Sequence, residues 1–193
     1  MKNIKFDFNN MFSQSIGKKH GVELPELVKL NNLVTKAHNH LRCLLNDKRN
    51  RVNLGLEWAM LPFQGKKVIQ EAQGLAEKIR KNYENVIFLG IGGSYLGLKA
   101  AQDALCPPYY NEFNSLRKKC PKVYFEGNNL DPDTLNVLLK NLNPKKTFVV
   151  VISKSGETTE TKAGFMVVED WLKKHIGKTY GRQIIAITDP VSG

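Results

Sequence analysis

Two stretches of sequence decide the fold of this chain, and each is an apolar run followed by a loop of small residues. The first is Val86-Ile-Phe-Leu-Gly-Ile-Gly-Gly-Ser-Tyr-Leu-Gly97, and the second is Thr147-Phe-Val-Val-Val-Ile-Ser-Lys-Ser-Gly-Glu-Thr-Thr-Glu-Thr161. A continuous run of large apolar residues indicates a strand buried on both faces, and the spacing after each loop indicates a helix. The repeated order of strand, loop and helix predicts parallel strands.

The residues around these two stretches continue the same alternation. Apolar residues at helical spacing over 68–79 precede the first strand, and further strands are predicted at 123–125 and 183–188. A helix is predicted to open at Asp131-Pro132, and another covers 158–175. The fold class is therefore α/β, a doubly wound parallel sheet with helices on both faces. With the flavodoxin-like strand order 2-1-3-4, the first and third strands are neighbours.

The first 66 residues have a different pattern, and we interpret 1–66 as a helical N-terminal segment and 67–193 as a separate domain. A three- and four-residue spacing of apolar residues predicts one amphipathic helix that ends near Asn46; these residues are Leu27, Leu30, Val34, Ala37, Leu41 and Leu44. The flanking residues 1–23 and 47–65 show no regular period. We expect the apolar face of this helix to pack outside the segment.

Composition limits the possible function classes. The 193 residues carry a net charge of +11 and are 41% apolar, which fits a globular chain with a core and excludes extended disorder. The longest purely apolar run, 148–152, is far shorter than the roughly 20 residues of a membrane-spanning helix, and residues 1–12 contain no export signal. We therefore expect no membrane partner.

Charge and cysteine content exclude further classes. Basic residues are spread along the chain, with a net charge of +6 in 1–66 and +5 in 67–193, so we expect no nucleic-acid partner. The cysteines, Cys43, Cys106 and Cys120, are odd in number and form no CxxC pair. This pattern indicates neither a disulfide framework nor a zinc site, and it fits a reducing, cytoplasmic location.

The loop after the first predicted strand is rich in glycine and leads into a helix. Such a loop lets backbone approach a ligand, while the N–H groups of the helix N-terminus point outward. Two nucleotide patterns fail, since Tyr95 stands where the dinucleotide motif needs glycine, and Leu98 follows Gly97 where a P-loop needs lysine. We therefore expect no cofactor.

The loop after the third predicted strand carries groups that suit a phosphate dianion. It offers the hydroxyls of Ser153, Ser155 and Thr158, the charge of Lys154 and a second helix N-terminus. Helix capping alone would need one hydroxyl, although a purely structural turn is the alternative for either loop. If the two strands are neighbours, these groups and Ser94 converge on one phosphorylated small molecule without a metal.

These motifs resemble the phosphoglucose isomerase family and its sugar-isomerase (SIS) domain. Gly90-Ile-Gly-Gly-Ser-x-Leu-Gly97 is similar to the family's first signature, and the loop from Ser153 to Thr161 is similar to its phosphate loop. The resemblance covers 86–189 and extends only loosely to 1–66. It implies an aldose-ketose isomerase that interconverts glucose 6-phosphate and fructose 6-phosphate in glycolysis and gluconeogenesis, a cytoplasmic homodimer in its full length.

The resemblance also implies roles for particular residues. Contacts to the sugar phosphate are expected from two glycine-loop residues and five phosphate-loop residues: Gly93, Ser94, Ser153, Lys154, Ser155, Gly156 and Thr158. Glu157 stands where the family more often has threonine, and a carboxylate there would repel phosphate unless it points to solvent. The family's catalytic glutamate, arginine, histidine and lysine lie after the matched region. The resemblance therefore implies no catalytic residue in this chain and an absent C-terminal subdomain.

Two alternative functions stay open at this point. A non-catalytic SIS-domain sensor of sugar phosphates would need an attached helix-turn-helix, which the pattern of 1–66 does not indicate. Another sugar-phosphate isomerase, or the isomerase domain of an aminotransferring synthase, is disfavoured by Lys154, since those proteins usually lack a lysine after the first serine of the loop.

Overall fold

The computed structural model describes residues 5–189, so the outer ends of the two predicted domains, 1–4 and 190–193, lie outside the described residues. The chain divides into two compact units, Met1–Lys66 and Lys67–Gly193. The first unit contains helices α1 (Ser13–Ile16), α2 (Leu24–Asn46) and α3 (Lys48–Asn53), with short 3-10 turns at Asn9–Met11 and Glu57–Phe63.

Helix α2 is the one predicted in the first unit, and it ends at Asn46 as expected. A capping box starts it: the Glu23 backbone N–H donates to Glu26 Oε2 at 2.9 Å, and the Glu23 side chain accepts from the backbone of Glu26. No residue of α2 is buried. The prediction of irregular flanks was wrong for α1, α3 and the 3-10 turns, because elements this short complete too few turns to produce a hydrophobic period.

The second unit alternates helices and strands in the predicted order. Four of its α-helices and all four strands match the predicted segments, whereas the four-residue α6 and the 3-10 helices Pro144–Lys146 and Gly177–Gln183 were not predicted. The elements are α4 (Lys66–Asn82), β1 (Asn85–Leu89), α5 (Gly93–Leu105), α6 (Asn114–Arg117), β2 (Lys122–Glu126), α7 (Pro132–Asn141), β3 (Thr147–Ile152), α8 (Thr159–Ile176) and β4 (Ile184–Ile187).

The four strands form one parallel sheet in the order β2-β1-β3-β4, which confirms the doubly wound prediction. β1 pairs with both β2 and β3, and its last residue, Leu89, lies opposite Glu126 and Val151. The strand order reverses between β1 and β3. The loops that follow these two strands therefore emerge side by side at the carboxyl edge of the sheet.

Apolar side chains cover both faces of the sheet. On one face Ile87, Leu89 and Val149, all 0% exposed, pack with buried residues of α7 and α8. On the other face Val86 and Phe148 pack with partly buried residues that include those of α4. The alternation of inward directions along β1 explains why its run is apolar at every position. Within 5–189, none of the helices combines the length and the apolar character needed to cross a bilayer.

Candidate functional site

The two loops at the switch point touch each other through a glycine. A Cβ atom added at Gly90, the first residue after β1, would lie 2.9 Å from the Ser94 carbonyl oxygen and 3.2 Å from the Ser94 Cβ. The same Cβ would lie 3.3 Å from the carbonyl oxygen of Ile152, the last residue of β3. Ser94 and the end of β3 therefore meet around one point, and only glycine fits between them.

Two further glycines extend this close packing toward β2 and α8. A Cβ at Gly127, which has φ +76° and follows β2, would lie 3.3 Å from the Gly90 nitrogen. A Cβ at Gly164 of α8 would lie 3.4 Å from the Gly127 Cα. Thr161, only 1% exposed, donates its hydroxyl to the Gly127 carbonyl at 3.4 Å. This hydrogen bond links α8 to the loop that follows β2, and the Thr161 hydroxyl is buried there.

The hydroxyls at the two ends of the second loop lie together. Ser153 Oγ and Thr158 Oγ1 are 3.0 Å apart, and Ser153 is 7% exposed. One of these hydroxyls donates to the other, which leaves one hydroxyl proton free for a ligand. Thr158 occupies the N-cap position of α8, but its side chain makes no capping hydrogen bond. Capping therefore does not explain this hydroxyl.

The middle of the loop is open to solvent. Gly156 has φ +68° and turns the chain, and the backbone N–H of Glu157 donates to Ser155 Oγ at 3.2 Å. Because the Ser155 oxygen accepts there, its hydroxyl proton stays available for donation to an acceptor outside the loop. Lys154 and Glu157 are both exposed. The carboxylate of Glu157 thus has access to water, the condition under which it is compatible with a bound anion.

The loop is tied to the next strand through its backbone. The Ser153 N–H donates to the Ile187 carbonyl at 3.1 Å, and the Asp189 N–H donates to the Lys154 carbonyl at 3.2 Å. These bonds continue the pairing of β3 with β4 beyond the last ladder residues. They fix the backbone of Ser153 and Lys154 and leave the Lys154 side chain outside the ladder.

The glycine loop supplies a second helix N-terminus. Gly92, at φ +55°, is the N-cap residue of α5, and it has no side chain with which to cap the helix. The N-terminus of α5 therefore resembles that of α8 and contrasts with α3 and α7, where Asp47 and Asp131 accept from backbone N–H groups. In α5 the Ser94 N–H donates to the Ile91 carbonyl at 3.1 Å and the Tyr95 N–H donates to the Gly92 carbonyl at 3.0 Å, so it is mainly the helix dipole that favours an anion at this position.

A carboxyl group that was not among the predicted site residues also lies at this edge. Glu126 ends β2 opposite Leu89, and its backbone carbonyl accepts from the Gly90 N–H at 3.1 Å. Burial, and then the negative charge of Asp131, raise the pKa of the Glu126 carboxyl above its usual range. In the sequence, Glu126 is marked only by its position at the end of an apolar strand. Many residues without a functional role occupy the same kind of position.

Other candidate chemistries find no support in the described part of the chain. No group of three or more His, Cys, Asp or Glu side chains within 5–189 is arranged to hold a metal ion. The three cysteines are free thiols. His175 Nδ1 lies 2.7 Å from the Trp171 carbonyl oxygen on the preceding turn of α8, a local contact at the end of that helix.

Fold and loops together define a doubly wound α/β domain with two helix N-termini that lack side-chain caps at its switch point, the place where proteins of this fold class bind ligands. Residues 63–191 match the family model described as phosphoglucose isomerase. The chain therefore belongs to the phosphoglucose isomerase family.

Individual relatives match over nearly the whole chain but not over their own length. The glucose-6-phosphate isomerase of Carboxydothermus hydrogenoformans is 35% identical over 98% of this chain and 39% of its own. That of Shouchella clausii is 35% identical over 100% of this chain and 41% of its own. The crystal structure of a hypothetical protein from Thermus thermophilus matches with a TM-score of 0.63 and 32% identity, over 88% of this chain and 37% of that one. The chain thus spans about two fifths of the length of these relatives.

Proposed function

We propose that this chain is the sugar-phosphate-binding part of a glucose-6-phosphate isomerase, which interconverts glucose 6-phosphate and fructose 6-phosphate in glycolysis and gluconeogenesis. The observation that carries the proposal is the pair of hydroxyls on Ser153 and Thr158, 3.0 Å apart at the uncapped N-terminus of α8. The names of the relatives support the same reaction. In this proposal the second unit is an SIS domain, and the first is a helical lead-in to it.

The phosphate lies over the second loop. Its oxygens accept hydrogen bonds from Ser153, Ser155 and Thr158 and pair with the charge of Lys154, while Gly156 allows the backbone to approach. Hydrogen bonds to a charged oxygen contribute about 1.5–3 kcal/mol each, and the dipole of α8 adds to them. No metal is needed to neutralise the phosphate.

The sugar extends from the phosphate toward the glycine loop. Gly93 and Ser94 contact it there, because Gly90 brings Ser94 next to the end of β3. Isomerisation also requires a base that moves a proton between C1 and C2 and a positive group that stabilises the enediolate. We assign those groups to the part of the full-length enzyme outside this chain. The chain is therefore proposed to bind substrate without turning it over, and the full-length enzyme to be a cytoplasmic homodimer without a cofactor.

Calorimetric titration of residues 1–193 with glucose 6-phosphate tests the binding role. Lys154→Ala removes an exposed charge from the loop, and we expect it to weaken binding at least about tenfold. Lys162→Ala, which removes an exposed lysine from the first turns of α8, is the matched control and should change binding far less. Equal affinity of the unsubstituted chain and Lys154→Ala, or equal affinity for glucose without its phosphate, would contradict the proposal.

Two further measurements separate the neighbouring functions. The first is an isomerase assay of purified residues 1–193. Activity that disappears in Lys154→Ala would place the catalytic groups within the chain and contradict the proposal that the chain only binds substrate. Titration with fructose 6-phosphate and 6-phosphogluconate addresses a sensor, which should discriminate sharply among these sugars. The proposed phosphate-binding part should bind them with similar affinities.

A further inference from the structure

The amino edge of the sheet, opposite the candidate site, carries an open cavity of about 1040 Å³ that is rich in positive charge. Six of its described lining residues are cationic and one, Glu84, is acidic; the cations are Arg80, Lys81, Arg117, Lys119, Lys122 and Lys146. We propose that this cavity, named here the basic cavity, binds a polyphosphate, a chain of linked phosphates either free or carried by a nucleotide. This second site is independent of the proposed sugar-phosphate function.

The first residues of three neighbouring strands bring these charges together. Asn85 at the start of β1 lies opposite Lys122 in β2 and Thr147 in β3. Glu84 links the same strands, since its N–H donates to the Lys146 carbonyl at 2.9 Å and its carbonyl accepts from the Lys122 N–H at 2.8 Å. Lysines far apart in sequence are thereby fixed on one edge.

The two arginines are oriented by contacts to backbone carbonyls. Arg80 donates to the Lys118 carbonyl at 2.8 Å, and Arg117 donates to the Asn111 carbonyl at 2.6 Å. Lys119 lies in a turn where both it and Lys118 have positive φ, 69° and 48°. A positive φ is energetically costly for lysine. Here it allows the chain to turn between α6 and β2 at the wall of the basic cavity.

Stabilisation of helix ends explains only part of this charge. Arg80 and Lys81 lie in the last turn of α4 and Arg117 in the last turn of α6, where cations interact favourably with the helix dipole. Lys119 and Lys122 belong to a turn and a strand, so no helix dipole accounts for them. Among the described residues, none of the six cations has a carboxylate within ion-pair distance. A bound polyanion would relieve their mutual repulsion.

The arrangement of the charges favours a polyphosphate over other anions. The carboxyl ends of α4 and α7 lie at this cavity, and their dipoles oppose an anion, so the attraction has to come from the cationic side chains and not from first-turn N–H groups. Cations spread around an opening instead match several linked phosphates at once. Single-stranded nucleic acid would need exposed aromatic rings for its bases, but Tyr83 packs on Phe148 at 5.1 Å and Tyr124 is partly buried against the core.

Calorimetric titration of residues 1–193 with inorganic tripolyphosphate tests the affinity. The double variant Lys119→Gln/Lys146→Gln removes two exposed cations of the basic cavity, and we expect binding to weaken about tenfold or more. Lys140→Gln/Lys178→Gln removes two exposed lysines outside it and is the control for net charge. Equal weakening in both double variants would mean nonspecific attraction and would overturn the proposal.

Two comparisons distinguish binding in the basic cavity from binding on the phosphate loop and from nucleic-acid binding. Tripolyphosphate affinity that is lost in Lys154→Ala and kept in Lys119→Gln/Lys146→Gln would place the anion on the phosphate loop and overturn the proposal, whereas the reverse result supports it. ATP should bind with an affinity close to that of tripolyphosphate if the phosphate chain is what is recognised. A single-stranded oligonucleotide that binds more tightly than either would also overturn the proposal.

Alkylation of cysteines locates the bound anion without any substitution. Cys120 lines the basic cavity and is partly exposed, whereas Cys43 lies on α2 and is exposed. With neutral iodoacetamide and peptide mass spectrometry, tripolyphosphate should slow the labelling of Cys120 severalfold and leave Cys43 unchanged. Unchanged labelling of Cys120 at a saturating concentration would overturn the proposed location.

Discussion

At the scale of single residues, Gly90 determines how closely the start of α5 approaches the end of β3. Its added Cβ would lie 2.9 Å from the Ser94 carbonyl oxygen, closer than a carbon atom without a hydrogen bond can approach an oxygen, and 3.3 Å from the Ile152 carbonyl oxygen. Both neighbours are backbone atoms, so no side-chain rotation can make room. Any larger residue must separate the start of α5 from the end of β3.

We predict opposite effects for alanine at two glycines of this region. Gly90→Ala should lower the free energy of unfolding by about 1–3 kcal/mol, because the methyl group overpacks the junction. Gly97→Ala should raise it by about 0.5–1 kcal/mol, since no atom lies within 4 Å of the added Cβ and alanine favours the interior of α5. Urea denaturation measures both. A Gly90→Ala chain as stable as the unsubstituted one would contradict the packing described for the switch point.

Folding disfavours the ionised form of the Glu126 carboxyl group. Its carboxyl is half-buried, and burial raises its pKa before the nearby charge of Asp131 adds to the effect. The folded chain therefore holds this proton more tightly than the unfolded chain, where the ordinary value is 4.5. Stability from this group is fully present below pH 4.5 and is lost as the pH rises through the raised pKa.

Glu126→Gln should therefore stabilise the chain in a pH-dependent way. We expect no difference in the free energy of unfolding below pH 4.5, and a modest gain that grows as the pH passes the raised pKa and then stays constant. Urea denaturation across this pH range measures the difference. Glu77→Gln, which removes an exposed carboxylate from α4, controls for net charge. A gain that is the same at every pH would mean that ionisation of Glu126 is not its cause.

At the scale of elements, the N-terminus of α7 is capped by the residue that the sequence predicted for this role, Asp131. Asp131 precedes Pro132, and its Oδ1 accepts from the Asp133 N–H at 2.9 Å. Asp131→Ala should lower the free energy of unfolding by about 1 kcal/mol, because this N–H loses its acceptor. Asp131→Asn keeps an acceptor oxygen and should cost much less. Equal losses in thermal or urea unfolding would attribute the effect to charge rather than to the cap.

Elements with a strong period or a strong cap could be predicted from sequence, and weak ones could not. β3 was predicted with its observed bounds, 147–152, because its six residues are rich in β-branched side chains and too few for a typical helix. α6 was missed because Asn114–Arg117 is one turn long and buries no residue. Its Arg117 side chain donates to the Asn111 carbonyl, a contact that no periodic pattern reveals.

The candidate site was predictable in its location but not in its internal bonds. The apolar runs predicted the strands, and the flavodoxin-like order expected for such a sheet, which the structure shows, brings the two loops together. The sequence could not tell which hydroxyls of the second loop face a ligand. Thr161 has the same chemistry as Thr158, but one turn of α8 points it into the core toward Gly127. The roles of the phosphate-binding residues themselves stay predictions until binding is measured.

At the scale of the whole molecule, burial is concentrated in the middle of the parallel sheet. β1 and β3 are hydrogen-bonded on both sides, and their residues Ile87, Leu89 and Val149 are 0% exposed. β2 and β4 are edge strands, and every residue of both is partly or fully exposed. In the first unit, α2 is long but has no buried residue. The free energy of opening should therefore differ widely along the chain.

Hydrogen exchange measured by mass spectrometry tests this distribution. Peptides that cover 85–89 and 147–152 should exchange most slowly, because their amides open only when the sheet and both of its cores come apart. Peptides over 24–46 should exchange far faster, since α2 can open without exposing a buried core. Peptides of the edge strands β2 and β4 should exchange at rates between these two and serve as an internal control. Protection of α2 equal to that of β1 would contradict the prediction that a helix without buried residues opens at low cost.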